Sequence, residues 1–327
     1  MSRPDCGLIY LAGHASKLRR DAAKARAMNF RDFSLLFAVC LVWGLNIVVT
    51  RWVVADAGIP PIFFAAVRFF GIAALLFWFL RPIPRQFGRL FAIAMCIGAA
   101  HFTFLFLGLA NAEASAVAVV GQLGVPFSTL MSMAFLGETV GWRRGLGIML
   151  AFAGSLLIAV DPEGFSLSIG LIYVVISAVI GAAGGILMKQ IEPMPALRMQ
   201  AWVGGLSFLP LFALSGVLET GQVAAYASGG LWVWAATAFA VVGVSIFGHG
   251  AFYTLIKKYD VSLLSPLTLM TPIWGVIFGI ILLGEDLTLR LVVGAVISLG
   301  GVFVIAVRAN EKLPEAALGK KVGGPGA

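Results

Sequence analysis

The sequence predicts an all-α membrane protein of ten transmembrane helices, arranged as an inverted five-plus-five repeat. Three observations carry that expectation. The 327 residues are 60% hydrophobic and 12% charged, with a mean hydropathy of +0.99, well outside the composition of a soluble domain. Only 22 charged residues lie between Phe33 and Val307, so the middle of the chain is built for lipid. Finally, Gly137-Glu138 recurs 147 residues later as Gly284-Glu285, and the stretches 137–160 and 284–307 share eight identities in 24 ungapped positions.

A bilayer core of about 30 Å takes roughly 17 to 25 apolar residues per helix. Cutting at charges, prolines and turn residues gives the spans in order. The first, 34–54, lies between Asp32 and Asp56, and the second, 61–80, opens at Pro60-Pro61 and stops before Arg81. The third, 88–110, and the fourth, 114–136, are separated by Asn111 and Glu113. The fifth, 144–160, begins at the Arg143-Arg144 pair, and the sixth, 169–188, runs up to Lys189. The seventh, 198–217, stops before Glu219, and the eighth, 231–256, before Lys257-Lys258. The ninth, 261–283, and the tenth, 289–307, flank Gly284-Glu285-Asp286. The fifth and tenth are short and need flanking residues to cross.

Charge sets the orientation. With a cytoplasmic N-terminus, the inner loops and both tails hold twenty Lys and Arg residues and the outer loops only Arg51 and Arg290, with Arg68 inside a span. Both termini are therefore expected in the cytoplasm, the chain lying in the cell inner (plasma) membrane. The formal charge of +8 reports this topology rather than a nucleic-acid partner, because the basic residues sit beside long apolar runs. The chain divides into a polar N-terminal tail (1–32), two five-helix repeats (33–161 and 168–308) and a C-terminal tail (309–327). Residues 1–27 read as a polar extension, with Met28 resembling a natural start. Five spans per half is an odd number, so the halves insert upside down relative to each other, a transporter arrangement with substrate expected near the midplane.

Three cysteines, Cys6, Cys40 and Cys96, give no disulfide framework. Nucleotide and metalloprotease motifs are absent, and His14, His101 and His249 are too dispersed for a metal site; no cofactor, metal or catalytic residue is expected.

The polar residues inside the spans are the candidates for function. Arg68, about seven residues into the second span, is costly in lipid and should face the interior, either as a pathway charge or as a structural tie to a backbone carbonyl or Asp56. In Trp43-Gly44-Leu45-Asn46 the glycine admits a close helix neighbour, and Asn46 either bonds that helix or lines the cavity. Pro126 and Pro272, inside the fourth and ninth spans, each free a carbonyl, those of Gln122 and Thr268, and suggest kinks around a central cavity. His101 and His249 stand in the third and eighth spans. Carboxylates lie at or near span boundaries and none at midspan, so proton coupling would need a histidine or the substrate to carry the proton; facilitated export is the alternative. Glu138 and Glu285 read as loop anchors to a nearby arginine such as Arg143 or Arg290.

These features resemble the EamA-type transporters of the drug/metabolite transporter superfamily. The resemblance rests on Trp43-Gly44-Leu45-Asn46, on Pro60-Pro61 with Ala66-Val67-Arg68-Phe69, and on the Pro…Gly-Glu…Gly…Gly blocks at 126–154 and 272–301. Within that family, the run His101 to Phe106, Gln122, and Gly248-His249-Gly250 leading to Lys258-Tyr259 are similar to bacterial exporters of cysteine, O-acetylserine and related metabolites. The resemblance implies a ten-helix basket that exports small metabolites, amino acids or their derivatives, by alternating access. The expected partners are a small-molecule substrate and the bilayer; the oligomeric state is not specified. Asn46, His101, Gln122, His249, Trp43 and Tyr253 are the expected substrate-lining residues. The rival reading, a membrane enzyme acting on lipid-linked substrates, lacks clustered acids and histidines at an interface.

Overall fold

The computed structural model describes residues 28–137, 140–161, 166–259 and 261–308. Expectations concerning residues 1–27, Glu138 and the segment 309–327 lie outside the described residues. Among those described, the chain is helical apart from turns and a two-residue antiparallel pair, Val160-Asp161 with Ser166-Leu167.

Among the described residues, nine helices are long and apolar enough to cross a membrane, and a tenth apolar helix is shorter. In chain order they are α1 (Phe30–Asp56), the short α2 (Pro61–Leu75), α3 (Phe87–Asn111), α4 (Ala114–Phe135), α5 (Trp142–Ala159), α6 (Ile169–Met188), α7 (Ala196–Leu218), α8 (Gly230–Ile256), α9 (Leu263–Leu283) and α10 (Leu289–Val307). Helix α2 gains its remaining length from a 3₁₀ turn, Phe77–Leu80. A further short helix, Gln222–Ser228, joins α7 to α8.

Helix α1 starts earlier than the charge pattern indicates. The Asn29 side chain accepts a hydrogen bond from the Asp32 amide at 2.8 Å, capping the helix so that Arg31 and Asp32 belong to α1 rather than to a tail. The Asp32 carboxylate is then gripped by the Lys258 ammonium and, at 2.6 Å, by the Tyr259 hydroxyl, which ties the start of α1 to the end of α8.

Large apolar side chains cover the outside. Trp78 and Trp142 are highly exposed beside the Arg81 and Arg143 end of the bundle, and Trp232 and Trp234 are exposed toward the opposite end. Tryptophan at both ends of an apolar cylinder fits the two polar–apolar boundaries of a bilayer. Inside, Phe64 and Phe106 stack at 5.6 Å within an aliphatic core that includes Ile62, Ile72 and Leu109.

The repeated glycines meet one another. Helices α5 and α10 pack along their length. A Cβ at Gly147 would stand 2.8 Å from the Gly301 carbonyl oxygen, and one at Gly301 would stand 2.5 Å from that of Gly147. Gly154 and Gly294 are matched in the same reciprocal way, at 2.5 and 2.8 Å. The Ser155 and Ser298 hydroxyls pair at 3.1 Å within this seam. Without a hydrophobic driving force inside lipid, small residues and hydroxyl pairs are what bring two helices this close.

Candidate functional site

Two helices break at equivalent places. In α4 a 3₁₀ turn, Gly121–Leu123, precedes the segment Gly124–Leu136, whose third residue is Pro126. In α9 the segment Val261–Leu267 ends before Met270–Leu283, whose third residue is Pro272. A proline is accommodated best in the first turn of a helix, and each of these segments begins two residues ahead of one. The Thr268 carbonyl, expected to be free, accepts from the Thr271 amide at 2.9 Å.

The two breaks border a cavity of about 550 Å³ between α3, α4, α5, α6, α9 and α10. His101 and Gln122 line its inner end, Ser128, Thr129, Ser265 and Thr268 its walls, and Ser132, Arg144 and Lys189 its mouth at the arginine-rich end of the bundle. Arg144 donates to the Thr129 hydroxyl at 3.2 Å, and Lys189 to that of Ser132 at 3.4 Å. The wall is therefore a series of hydroxyls and amides interrupted by apolar surface, suited to a small polar solute.

His101 is held from α6. Its Nδ1 lies 3.0 Å from the Ser177 carbonyl oxygen, which only accepts, so Nδ1 carries the hydrogen and Nε2 is the ring's acceptor. Gly181 leaves the room this ring needs, since a Cβ there would come within 2.9 Å of Nδ1.

At the opposite end of the bundle two carboxylates join neighbouring helices. Glu285, just beyond α9, accepts from the Ala114 amide at 2.5 Å and the Ser115 amide at 2.8 Å at the start of α4. Glu219, just beyond α7, accepts from the Ile62 and Phe63 amides at 2.7 and 2.9 Å at the start of α2. Each supplies negative charge to otherwise unpaired amides at a helix N-terminus. Glu285 thus caps a helix rather than anchoring its loop to Arg290, which donates to the Val160 carbonyl instead. No sequence signal marks a carboxylate that caps a helix 171 residues away.

Glu113 stands beside the Glu285 cap. Its side chain is exposed, yet partial desolvation raises its carboxyl above the usual glutamate value, with the Glu285 and Asp286 charges adding and Arg51 opposing. The fold thus favours the protonated form. This contribution is most favourable below the ordinary glutamate pKa and declines as pH rises through the glutamate range. Glu113→Gln is expected to flatten that decline, which unfolding midpoints measured across the range will check.

The other sequence candidates gather elsewhere. Trp43, Asn46, His249 and Tyr253 are not in the cavity wall. Trp43 packs on His249 and Phe252, each at 5.2 Å between ring centroids, over the space left by Gly248. His249 Nδ1 lies 3.0 Å from the Val244 carbonyl oxygen, and the Tyr253 hydroxyl donates to the Met194 carbonyl at 3.0 Å. Arg68 is only 2% exposed; it donates to the Ser245 hydroxyl at 3.2 Å and lies over the Phe102 ring at 4.8 Å, so its tie is neither Asp56 nor a backbone carbonyl. Among the described residues, no group of His, Cys, Asp and Glu is placed to hold a metal ion.

Comparison with known proteins settles the family. The EamA-like transporter family matches residues 33–160 and again 167–307. The chain belongs to this family. As an EamA-like transporter it is a multi-pass membrane protein, and it is similar to a probable amino-acid metabolite efflux pump of Escherichia coli, 27% identical over 286 residues covering 85% of this chain and 95% of that protein. It is also similar to an uncharacterized transporter of Synechocystis, 28% identical over 314 residues that cover 87% of this chain and 92% of the relative. A solved crystal structure shares the fold with a TM-score of 0.56 at 17% identity, over 85% of this chain and 96% of that one.

Proposed function

We propose that this EamA-family chain exports small metabolites, amino acids or their derivatives, across the cell inner membrane by alternating access, and that the structure is its inward-open state. One observation carries the reading. The cavity wall runs from Gln122 and His101 to Ser132, Arg144 and Lys189 at the arginine-rich end, which the distribution of positive charge assigns to the cytoplasm, while at the other end Glu219 and Glu285 cap the starts of α2 and α4. A solute loaded from the cytoplasm reaches Gln122 and His101 and goes no further until those caps release.

The packing supports two inverted repeats, 33–161 and 168–308. Helix α3 lies on α6 as α8 lies on α1, and α4 on α6 as α9 on α1, while α2, α4 and α5 meet their own counterparts α7, α9 and α10. Such exchange of partners is what a pseudo-two-fold axis between the halves produces, and an odd number of spans per half would lay that axis in the membrane plane. The volume of about 550 Å³ suits a solute of metabolite size. The efflux-pump names of the Escherichia coli and Salmonella typhimurium relatives favour amino-acid metabolites. Of the two expected histidines, His101 is the one in the wall, and its Nε2 acceptor is the group that would carry a coupled proton.

Counterflow of labelled cysteine, O-acetylserine and threonine in proteoliposomes tests the proposal. Saturable exchange of at least one is expected. Gln122→Ala removes a side-chain partner of the solute and should raise the half-saturation concentration roughly fivefold to thirtyfold, as the loss of about 1–2 kcal/mol does. Absence of exchange for all three solutes removes the amino-acid reading.

A further inference from the structure

The guanidinium of Arg68 is buried, yet among the described residues Nε and Nη1 have no hydrogen-bond partner, while Nη2 donates to Ser245. Buried charged donors are ordinarily satisfied, so this group is arranged for something else. Helix α1 carries the same pattern. Trp43, Asn46 and Thr50 follow one another at i, i+3 and i+7 along a single face of α1. Trp43 Nε1, Asn46 Oδ1 and Thr50 Oγ1 are all buried without a hydrogen-bond partner among the described residues. Helix α1 packs on α3 and α8, the two helices that hold Phe102 and Ser245 against Arg68. The stripe runs toward the end where Glu219 and Glu285 cap α2 and α4.

The position relative to the cavity gives this cluster a role. The Phe102 ring touches both groups: the Arg68 guanidinium lies 4.8 Å from its centroid and the ring of the cavity-lining His101 5.0 Å from it, so a cation with unused donors stands one aromatic neighbour away from a residue of the cavity wall. We propose that Arg68, with the polar stripe of α1, is a second solute station in the outward half of the pathway, and that it takes a carboxylate. The station rests on the export reading and extends it by naming the group that the solute must carry. A carboxylate oxygen accepts from the free guanidinium nitrogens, and charge-assisted bonds in a dry site are the strong kind. The Trp43 N–H offers a further donor and the Asn46 carbonyl an acceptor for an ammonium or hydroxyl on the same solute.

The test is ligand-induced stabilisation of the full chain, purified in detergent, with L-serine, O-acetyl-L-serine and lactate as carboxylate probes and L-serine methyl ester as the masked one. The three acids are expected to raise the unfolding midpoint, and the ester to need about tenfold more concentration or worse. Arg68→Gln should abolish the difference between acid and ester, and Arg68→Lys should keep part of it, since an ammonium retains the charge but not the guanidinium fork. Trp43→Phe keeps the ring on Phe252 and removes one donor, and should weaken the acids severalfold. If Arg68→Gln yields no folded protein, Arg68→Lys and Trp43→Phe decide. Equal stabilisation by acid and ester, no stabilisation by any acid, or unchanged discrimination in both conservative variants overturns the station. Acid-specific stabilisation without counterflow would uphold the station and remove the export reading; counterflow blind to the carboxylate would do the reverse.

Discussion

Replacing Gly154 with valine is expected to remove most of the folded, monodisperse protein. A Cβ at this position would stand 2.5 Å from the Gly294 carbonyl oxygen and 2.8 Å from the Ser298 Cα, both backbone atoms of α10 that no rotamer change relieves. The helices must separate, and separation also costs the Ser155–Ser298 hydroxyl pair and the contacts of Gly147 with Gly301. Overpacking costs about 1–3 kcal/mol where a core can adjust, and more where the obstacle is backbone. Gly145 is the internal control. It lies on the same helix, and a Cβ there would meet nothing within 4 Å, so Gly145→Ala should be neutral or stabilise by up to about 1 kcal/mol through helix propensity. Unfolding midpoints in detergent, with size-exclusion profiles, compare the two. A Gly154 variant as stable as the Gly145 variant would show that the seam does not hold the fold.

Glu285→Ala is expected to open the acidic end without unfolding the protein. It deprives the Ala114 and Ser115 amides of their acceptor, and each orphaned donor costs roughly 1–3 kcal/mol in the closed arrangement unless water replaces the lost partner. Opening admits that water, so the equilibrium should shift outward about tenfold or more. Ser115→Cys in a background lacking Cys6, Cys40 and Cys96 reports the change. Its labelling by a membrane-impermeant maleimide added from outside should accelerate in the Glu285→Ala protein. Glu285→Gln, which keeps one acceptor oxygen, should fall between. Unaltered labelling in all three would mean that the carboxylate only caps a helix and gates nothing.

The extent to which the sequence foretells these features follows from the range of the interactions involved. The sixth span is legible to the residue, 169–188, because Lys189 and the turn residues before Ile169 bound it and its interior is uniformly apolar. The start of α1 is not, because a single capping contact, Asn29 to the Asp32 amide, outweighs the expectation that charges lie outside. The wide helical turns at Trp52–Asp56, Ala94–Ala100 and Phe239–Gly248 leave no mark in the apolar runs, since such turns answer to tertiary packing. Gln122 and His101 stand out by residue type, and the structure places both in one wall. His249 and Trp43 carry the same signal but face each other across α1 and α8, because spacing along a helix does not say which neighbour a face meets. Glu285 and Arg68 are conspicuous for their charge, yet their partners, two backbone amides and a serine hydroxyl, are groups any sequence supplies in quantity.

The reciprocal glycine seam has a further consequence, in descent rather than in stability. Gly147 rests on Gly301 and Gly154 on Gly294, so each side of the crossing is the other's mould. Because the obstacle in each case is backbone, which no change in the opposite residue can withdraw, neither copy is at liberty to enlarge one of these residues. After duplication, then, these four positions stay glycine in both copies, while at Gly145 and Gly300, where an added Cβ would meet none of the described residues within 4 Å, the halves diverge freely.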